Sequence, residues 1–408
     1  MTDRPKHLIV YLLIIFFFAV GLRTYGALSY STTPSADAAD YQRLATGLAQ
    51  GRGYVNSEGV STTWRPPAYP LFLAGFYKLV GIDVRQTTIA QALLGGLTVL
   101  LLTALGAMLI GWRRALLAGV IAAIYPGFVW LPRLLLSENL SLFLLLLTLA
   151  AAVLYFRSSR MIWIIVFGVL CALSTLVRGA NLLLPIAVAV GLLITRFRDW
   201  KQLIAPLSVM TVVFILTLLP WTIRNYRVFH EFIPIATQDG VTLYASYWPP
   251  QHNGKPIWGT LPGDDDPAIR AAAQSGSEVS TSRYLRRLTL ERLRENPSFF
   301  FRLLPSKLIS LLVPLDWEVF PHAPGTTHTL NIGYLLILLP ALAGFVVMLR
   351  ERVPYQWLLW SVPALVLLQS IIFYGSPRFR LPAELIAILP AAVGIWSAGE
   401  FIKRRLRL

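Results

Sequence analysis

The sequence predicts an all-α polytopic integral membrane protein of about ten spans, with external juxtamembrane helices and a small external loop region. Three observations carry this expectation. Of 408 residues, 56% are hydrophobic and only 14% charged, with a mean hydropathy of +0.61. Soluble domains run at about 45–50% apolar and about 25% charged. Apolar runs close to spanning length recur along the chain, and the basic residues between them fall on alternate connections, as the positive-inside rule requires.

Spans are expected near 8–28, 86–110, 115–132, 138–156, 161–177, 181–195, 203–222, 329–349, 356–374 and 381–401. Ala27-Leu28-Ser29 is a tolerable cleavage site, but the apolar stretch before it is too long for a signal core and reads as an uncleaved anchor. An even count puts both termini on one side. Arg4, Lys6, Arg113, Arg114, Arg157, Arg160, Arg196, Arg198, Lys201, Arg350, Arg352 and the tail Lys403, Arg404, Arg405, Arg407 make that side cytoplasmic. Much of the formal charge of +16 is therefore topological, and no nucleic-acid partner is needed to explain it. The single cysteine, Cys171, excludes an intrachain disulfide and reads as a small residue within an apolar run.

Residues 66–80 open with two prolines, and residues 299–315 carry Arg302, Pro305 and Lys307. Both are read as juxtamembrane helices at the outer interface. The chain then divides into a transmembrane module over 1–222 that includes the first external loop, 29–85. An external region with juxtamembrane helices follows over 223–328, and C-terminal transmembrane helices over 329–408.

The first external loop is the most informative segment. Ser35 is a candidate N-cap for a helix of about four turns ending at Gly51. Tyr41, Leu44, Ala45 and Leu48 recur at helical spacing and form its buried stripe. Asp37 lies four residues before Tyr41 on the same face, with Asp40 beside it. Two acids in a first helical turn either complement the helix dipole or serve chemistry.

Asp37, Asp40-Tyr41, Leu44-Ala45, Leu48, Gly51 and Gly53-Tyr54, followed by Arg65-Pro66-Pro67 and Tyr69-Pro70, resemble the first external loop of GT-C membrane glycosyltransferases. The likeness is to bacterial members of glycosyltransferase family 39, the protein-mannosyltransferase and aminoarabinose-transferase relatives. Further motifs follow in the family's order: Leu136-Ser137-Glu138, Val177-Arg178-Gly179-Ala180, the segment from Pro220 to Tyr226, Phe232 to Ile235 with Gly240, and the segment from Ser376 to Pro382.

The resemblance implies a GT-C fold in a bacterial inner membrane. It also implies transfer of a sugar from a polyprenyl-phosphate carrier to a glycan, lipid or protein acceptor on the external face. Asp37 maps onto the base of that family, with Asp40 a second contender because Ala38 stands where relatives often carry another acid. Glu138 matches the second acidic position. Arg65, Arg178, Arg378 and Arg380, with Arg224 ranked lower, are candidates to stabilise the lipid-phosphate leaving group. The alternative for each arginine is a structural pair or a headgroup contact. Tyr41, Tyr69, Tyr374 and His230 are expected near the substrate.

No metal is predicted as a requirement, since His7, His230, His252, His322 and His328 show no ligand spacing. In the second external region Tyr244, Tyr247, Trp248, Pro249, Pro250 and Trp258 either pack together or stack on sugar. Asp264, Asp265 and Asp266 read as a turn and helix start. Residues 281–296 read as a basic amphipathic helix with Tyr284, Leu288 and Leu293 on one side. A transporter or flippase of lipid-linked sugars is the rival class; it would be expected to carry ionisable or helix-breaking residues at mid-span.

Overall fold

The structure, a computed structural model, describes residues 6–29, 33–196, 201–249, 251–252, 255–256, 258, 263, 266–274, 276–314 and 330–406. His322, His328, Asp264, Asp265, Pro250, Arg4, Arg198 and Arg407 lie outside the described residues.

The first helix, α1 (Leu8–Ser29), exposes Ile9, Phe17 and Phe18 and packs against α4 and α5. Between them come α2 (Ala36–Ala49) and α3 (Ala68–Val80), then α4 itself (Val84–Ile110) and α5 (Trp112–Ile124). The predicted span 115–132 is broken: α5 stops and α6 (Pro126–Trp130) leaves at a bend of 56°, followed by a 3₁₀ turn at Leu131–Arg133. The cause is local. Pro126 disfavours helical geometry at Tyr125, which is extended, and then starts the next helix itself. The break strands carbonyls at the end of α5, and the buried Arg23 of α1 donates to two of them, Ala122 O at 2.9 Å and Ala123 O at 3.1 Å.

The bundle continues through α7 (Glu138–Ser158) and α8 (Met161–Val177). A 3₁₀ turn at Gly179–Leu183 leads into α9 (Leu184–Arg196), and α10 (Lys201–Phe229) follows. The last of these carries the helix seven residues past the predicted end at 222, so the boundary between 222 and 223 falls inside a helix. Four helices follow: α11 (Gln238–Ala245), α12 (Pro267–Ala273), α13 (Glu278–Glu295) and α14 (Ser298–Leu312). Asp266 caps α12, accepting from Ala268 N at 2.8 Å. The buried face of α13 is Val279, Ser282, Leu285 and Thr289, with Tyr284 and Leu288 half-buried beside it. The aromatic patch packs on itself and on α14: Tyr244 stacks on Trp248, Trp248 on Phe299 and Tyr247 on Phe300.

The chain ends in α15 (Ile332–Arg350), α16 (Trp357–Ile372), a 3₁₀ turn at Pro377–Arg380 and α17 (Leu381–Leu406). Pro340 and Gly344 on α15 meet Pro390 and Gly394 on α17, each pair four residues apart. A Cβ on Gly344 would sit 1.7 Å from Pro390 O, so only glycine permits this backbone contact, the small-residue mode of helix packing in lipid.

Among the described residues, α1, α4, α7, α10, α15 and the run Pro377–Leu406 are long and apolar enough to cross a membrane. The broken pair α5 and α6 makes a seventh, while α8, α9 with its leading turn, and α16 are shorter apolar helices. Helices thus stand where ten spans were expected, but length and composition support six or seven. The multi-pass membrane architecture is plain. The α2–α3 pair lies at one end of the bundle, its Tyr41, Ala45, Tyr69 and Leu73 packed with Leu144 of α7 and Val177 of α8.

Candidate active site

Both acids of the first loop come from the opening turn of α2. The helix presents Asp37 and Asp40 three residues apart, and the Tyr41 ring anchors it edge-on to Tyr69 of α3 at 4.9 Å. Arg65 is brought to them by a segment held at several backbone points. The Tyr54 hydroxyl donates to Arg65 O at 2.8 Å, and Arg224 donates to Thr62 O at 2.8 Å and Tyr54 O at 3.2 Å. The Glu278 carboxylate, from the start of α13, accepts from Thr62 Oγ1 at 2.6 Å and Thr63 N at 2.5 Å. With its backbone pinned, the Arg65 guanidinium reaches Asp37 at 2.7 Å, Asp40 at 2.9 Å and Gln238 at 3.0 Å.

A second set converges from distant parts of the chain. Glu138 opens α7, and Arg178 ends α8 in extended geometry and pairs with it. Arg378 lies in the 3₁₀ turn before α17, with its N–H capped by Ser376 Oγ at 3.3 Å. Its guanidinium joins the two acidic positions, donating to Asp37 at 2.6 Å and to Glu138 through two nitrogens, one at 3.0 Å. Asn181 ties the turn after Arg178 to Ser174 Oγ at 2.8 Å and Ser141 Oγ at 3.0 Å.

Asp37, Asp40, Glu138, Arg65, Arg178 and Arg378 thus form one cluster of three carboxylates and three guanidinium groups, with the exposed Arg43 at its rim 3.0 Å from Asp40. It is asymmetric in exposure. The Asp37 and Asp40 side chains are 29% and 27% accessible, whereas that of Glu138 is 3%. Burial works to raise the Asp37 pKa, but Arg378 and Arg65 outweigh it and hold the carboxyl below its ordinary value. For Arg65, burial works against the charge, and Asp37, Tyr41 and Asp40 together more than restore it, so the pKa is raised. Tyr374 feels the same charges: burial raises its phenol pKa, and Arg378, Asp37, Arg178 and Arg65 act on it. Its ring stacks on Trp258 and packs against Phe379, over which Arg178 stands at 5.1 Å.

Other residues singled out in the sequence lie elsewhere. The Arg380 guanidinium is buried, paired with Glu384 and bonded to Leu311 O at 2.9 Å and Val313 O at 2.7 Å. Arg224 spends its guanidinium on loop carbonyls and the Trp221 ring. Tyr69 is fully buried, its hydroxyl donating to Gln91 at 2.6 Å. Gln91 in turn holds the carbonyls of Pro132 and Leu134, just ahead of Glu138. Tyr41, by contrast, stays at the cluster: the Arg65 guanidinium stands 5.5 Å from its ring centroid, and its hydroxyl donates to Ser137 at 3.3 Å. His230 is exposed and left-handed (φ 54°), closing onto Tyr226 O as the stop of α10. Gln238, Glu278, Glu384, Lys307 and Arg23 are contributors that the motifs did not flag. The partners of Glu278 lie more than 200 residues away, beyond the reach of any local pattern. Among the described residues no three His, Cys, Asp or Glu side chains gather as metal ligands.

Comparison with known proteins agrees with this architecture. A family model described as dolichyl-phosphate-mannose-protein mannosyltransferase matches residues 64–221. The fold is similar to that of the archaeal oligosaccharyltransferase AglB from Archaeoglobus fulgidus, solved with an inhibitory peptide and a dolichol-phosphate. That match has a TM-score of 0.61 and 16% identity, over 98% of this chain and 51% of the other. An Archaeoglobus fulgidus oligosaccharyltransferase tethered to an acceptor peptide matches at a TM-score of 0.57 and 13% identity, over 98% and 50%. ArnT from Cupriavidus metallidurans bound to undecaprenyl phosphate matches at 0.44 and 16% identity, over 96% and 77%. No curated protein matches by sequence. The chain spans about half the length of the Archaeoglobus enzyme. It has the GT-C membrane fold, and the resemblance read in its motifs stands at that level.

Proposed function

We propose that this chain is a membrane glycosyltransferase that takes a sugar from a polyprenyl-phosphate-linked donor and passes it to an acceptor on the external face. The observation that carries the reading is that Arg65 and Arg378 flank the partly accessible Asp37, while Arg178 and Arg378 grip the buried Glu138 behind it. Asp37 accepts the acceptor's proton as its heteroatom attacks the anomeric carbon. The bond from that carbon to the phosphate oxygen breaks, and its electron pair leaves on the lipid phosphate. A single displacement of this kind inverts the anomeric centre.

Negative charge grows on the phosphate as the bond breaks, and preoriented guanidinium groups stabilise it more than they do the ground state. Arg65 and Arg378 each already contact two carboxylates, so a phosphate oxygen competes with those acids for the same forked donors. Glu138 pairs with Arg178 and Arg378 and holds both in place. The three cations supply the charge for phosphate departure, so the reaction is proposed to proceed without a required metal ion. The external location rests on the alternating basic loops, which leave the cluster on the side opposite the termini.

The test is purified protein with a panel of radiolabelled polyprenyl-phosphate sugars, comparing wild type with Asp37→Asn and Asp40→Asn. Transfer by wild type that Asp37→Asn abolishes is the expected result. Movement of lipid-linked sugar across proteoliposomes, with no transfer from any donor, would overturn the enzyme reading in favour of a transporter. Full activity in Asp37→Asn with a dead Asp40→Asn would reassign the base by one turn of α2.

A further inference from the structure

Arg378 reaches the cluster on a short link, residues 373–376, between α16 and the 3₁₀ turn. Nothing within the link is regular structure, yet its geometry sets where the guanidinium falls. The link and its flanks lie against α14. A Cβ on Gly375 would sit 2.0 Å from Lys307 O and 2.7 Å from Leu311 N, so the two backbones touch and glycine is obligatory there.

Each side of that contact supplies a cation to the other's helix end. The last turn of α16 leaves carbonyls without intrahelical donors. Lys307 of α14 directs its ammonium at Ile371 O and Ile372 O, both at 3.4 Å, and the Tyr247 hydroxyl donates to Ile372 O at 3.0 Å. In the opposite direction, Arg380 donates to Leu311 O and Val313 O at the end of α14. Lys307 is 1% exposed and stands 3.8 Å from the Tyr247 ring centroid. It has no carboxylate partner among the described residues, and burial pushes its pKa down to about 7. A buried ammonium held only by carbonyls and a ring is a costly choice for packing alone, where an apolar side chain of equal length does better.

We propose that Lys307 and Arg380 form a reciprocal clasp between α14 and the link, and that Lys307 is a positioning residue that fixes Arg378 for the phosphate. The role assigned to Arg378 rests on the glycosyltransferase reading; the clasp itself does not. Arg378 and Tyr374 face the cluster on one side of the link while Gly375 meets α14 on the other, so loosening α14 lets Arg378 drift from Asp37 and Glu138.

The experiment uses the full-length protein and Lys307→Met, which keeps the length of the side chain and removes its donors and charge. Hydrogen exchange reads the clasp directly: residues 373–376 should exchange about tenfold faster in Lys307→Met, with thermal stability equal to or above wild type. Binding of a short-chain polyprenyl phosphate reads the positioning. Lys307→Met should weaken it about tenfold in the wild-type background and less than twofold in an Arg378→Ala background, because the effect passes through Arg378. Unchanged exchange in the link would overturn the clasp. Equal weakening in both backgrounds, or faster exchange with unchanged phosphate binding, would overturn the positioning role. A wild type that binds the phosphate yet transfers no sugar would sink the glycosyltransferase reading alone, since exchange and binding still decide this one.

Discussion

Arg378 and Arg380 stand two residues apart in one short turn and have opposite fates. The first spans Asp37 and Glu138 in a cluster open on one side. The second pairs with Glu384 in a sealed site, 4% and 1% exposed, where the Tyr125 hydroxyl donates to the same carboxylate at 2.7 Å. A 3₁₀ turn advances about 120° per residue, so side chains at i and i+2 leave on different sides. The contrast separates two uses of an ion pair. In the sealed pair the guanidinium is shared between Glu384 and the carbonyls of Leu311 and Val313, and the result is attachment of α14 and α17. In the open cluster the guanidinium groups are shared between acids, and a new anion can compete for them.

The largest way to break this comparison is Asp37→Asn, which should lower kcat by about 10²–10⁴-fold as expected for loss of a general base, with the protein still folded by thermal unfolding in detergent. Arg378→Met should cost about 10²–10³ in turnover, the scale for one oxyanion-stabilising donor. Arg380→Met should instead leave Glu384 as a buried charge and reduce stability by about 3–5 kcal/mol. Thermal unfolding and turnover measured on both variants would collapse the distinction if Arg380→Met stayed stable and lost only activity.

A pH profile sharpens the open side of the comparison. Because the Asp37 pKa is depressed, its charged form and the stability from its pairing persist above the ordinary carboxylate value and are lost as pH falls through the lowered one. The acidic limb of kcat/KM should therefore lie below the usual carboxylate range in wild type, and Arg65→Met should move it upward. A limb that stays in place would remove Arg65 from the electrostatics of Asp37. The smallest effect is expected from Glu278→Gln, which weakens two bonds to the segment carrying Arg65. A rise of a fewfold in donor KM at unchanged kcat is the expected outcome, and a loss of kcat would place Glu278 closer to the chemistry.

The first-loop helix was legible because everything it needs is local: an acidic first turn, a stripe at Tyr41, Leu44 and Ala45, and a stop near Gly51. The break at Tyr125-Pro126 had a local signal that a hydropathy window averages away, since both halves are apolar. The roles of Arg224 and Tyr69 had none, and that of Arg380 had only the i,i+4 spacing to Glu384. As residues in motifs they look like Arg65 and Tyr41, and only their partners, Glu384, the Thr62 and Tyr54 carbonyls, and Gln91, separate them.

Composition, hydropathy and charge alternation determined by themselves that the chain lives in a membrane, since those properties are sums over residues and need no contacts. Motif order carried the fold, because the motifs mark helix ends, which local chemistry dictates. Which cations meet which acids was decided only by the tertiary structure. Arg378 lies 341 residues from Asp37 and 240 from Glu138, and a pairing across such distances depends on how α2, α7, α8 and the link before α17 pack at one end of the bundle.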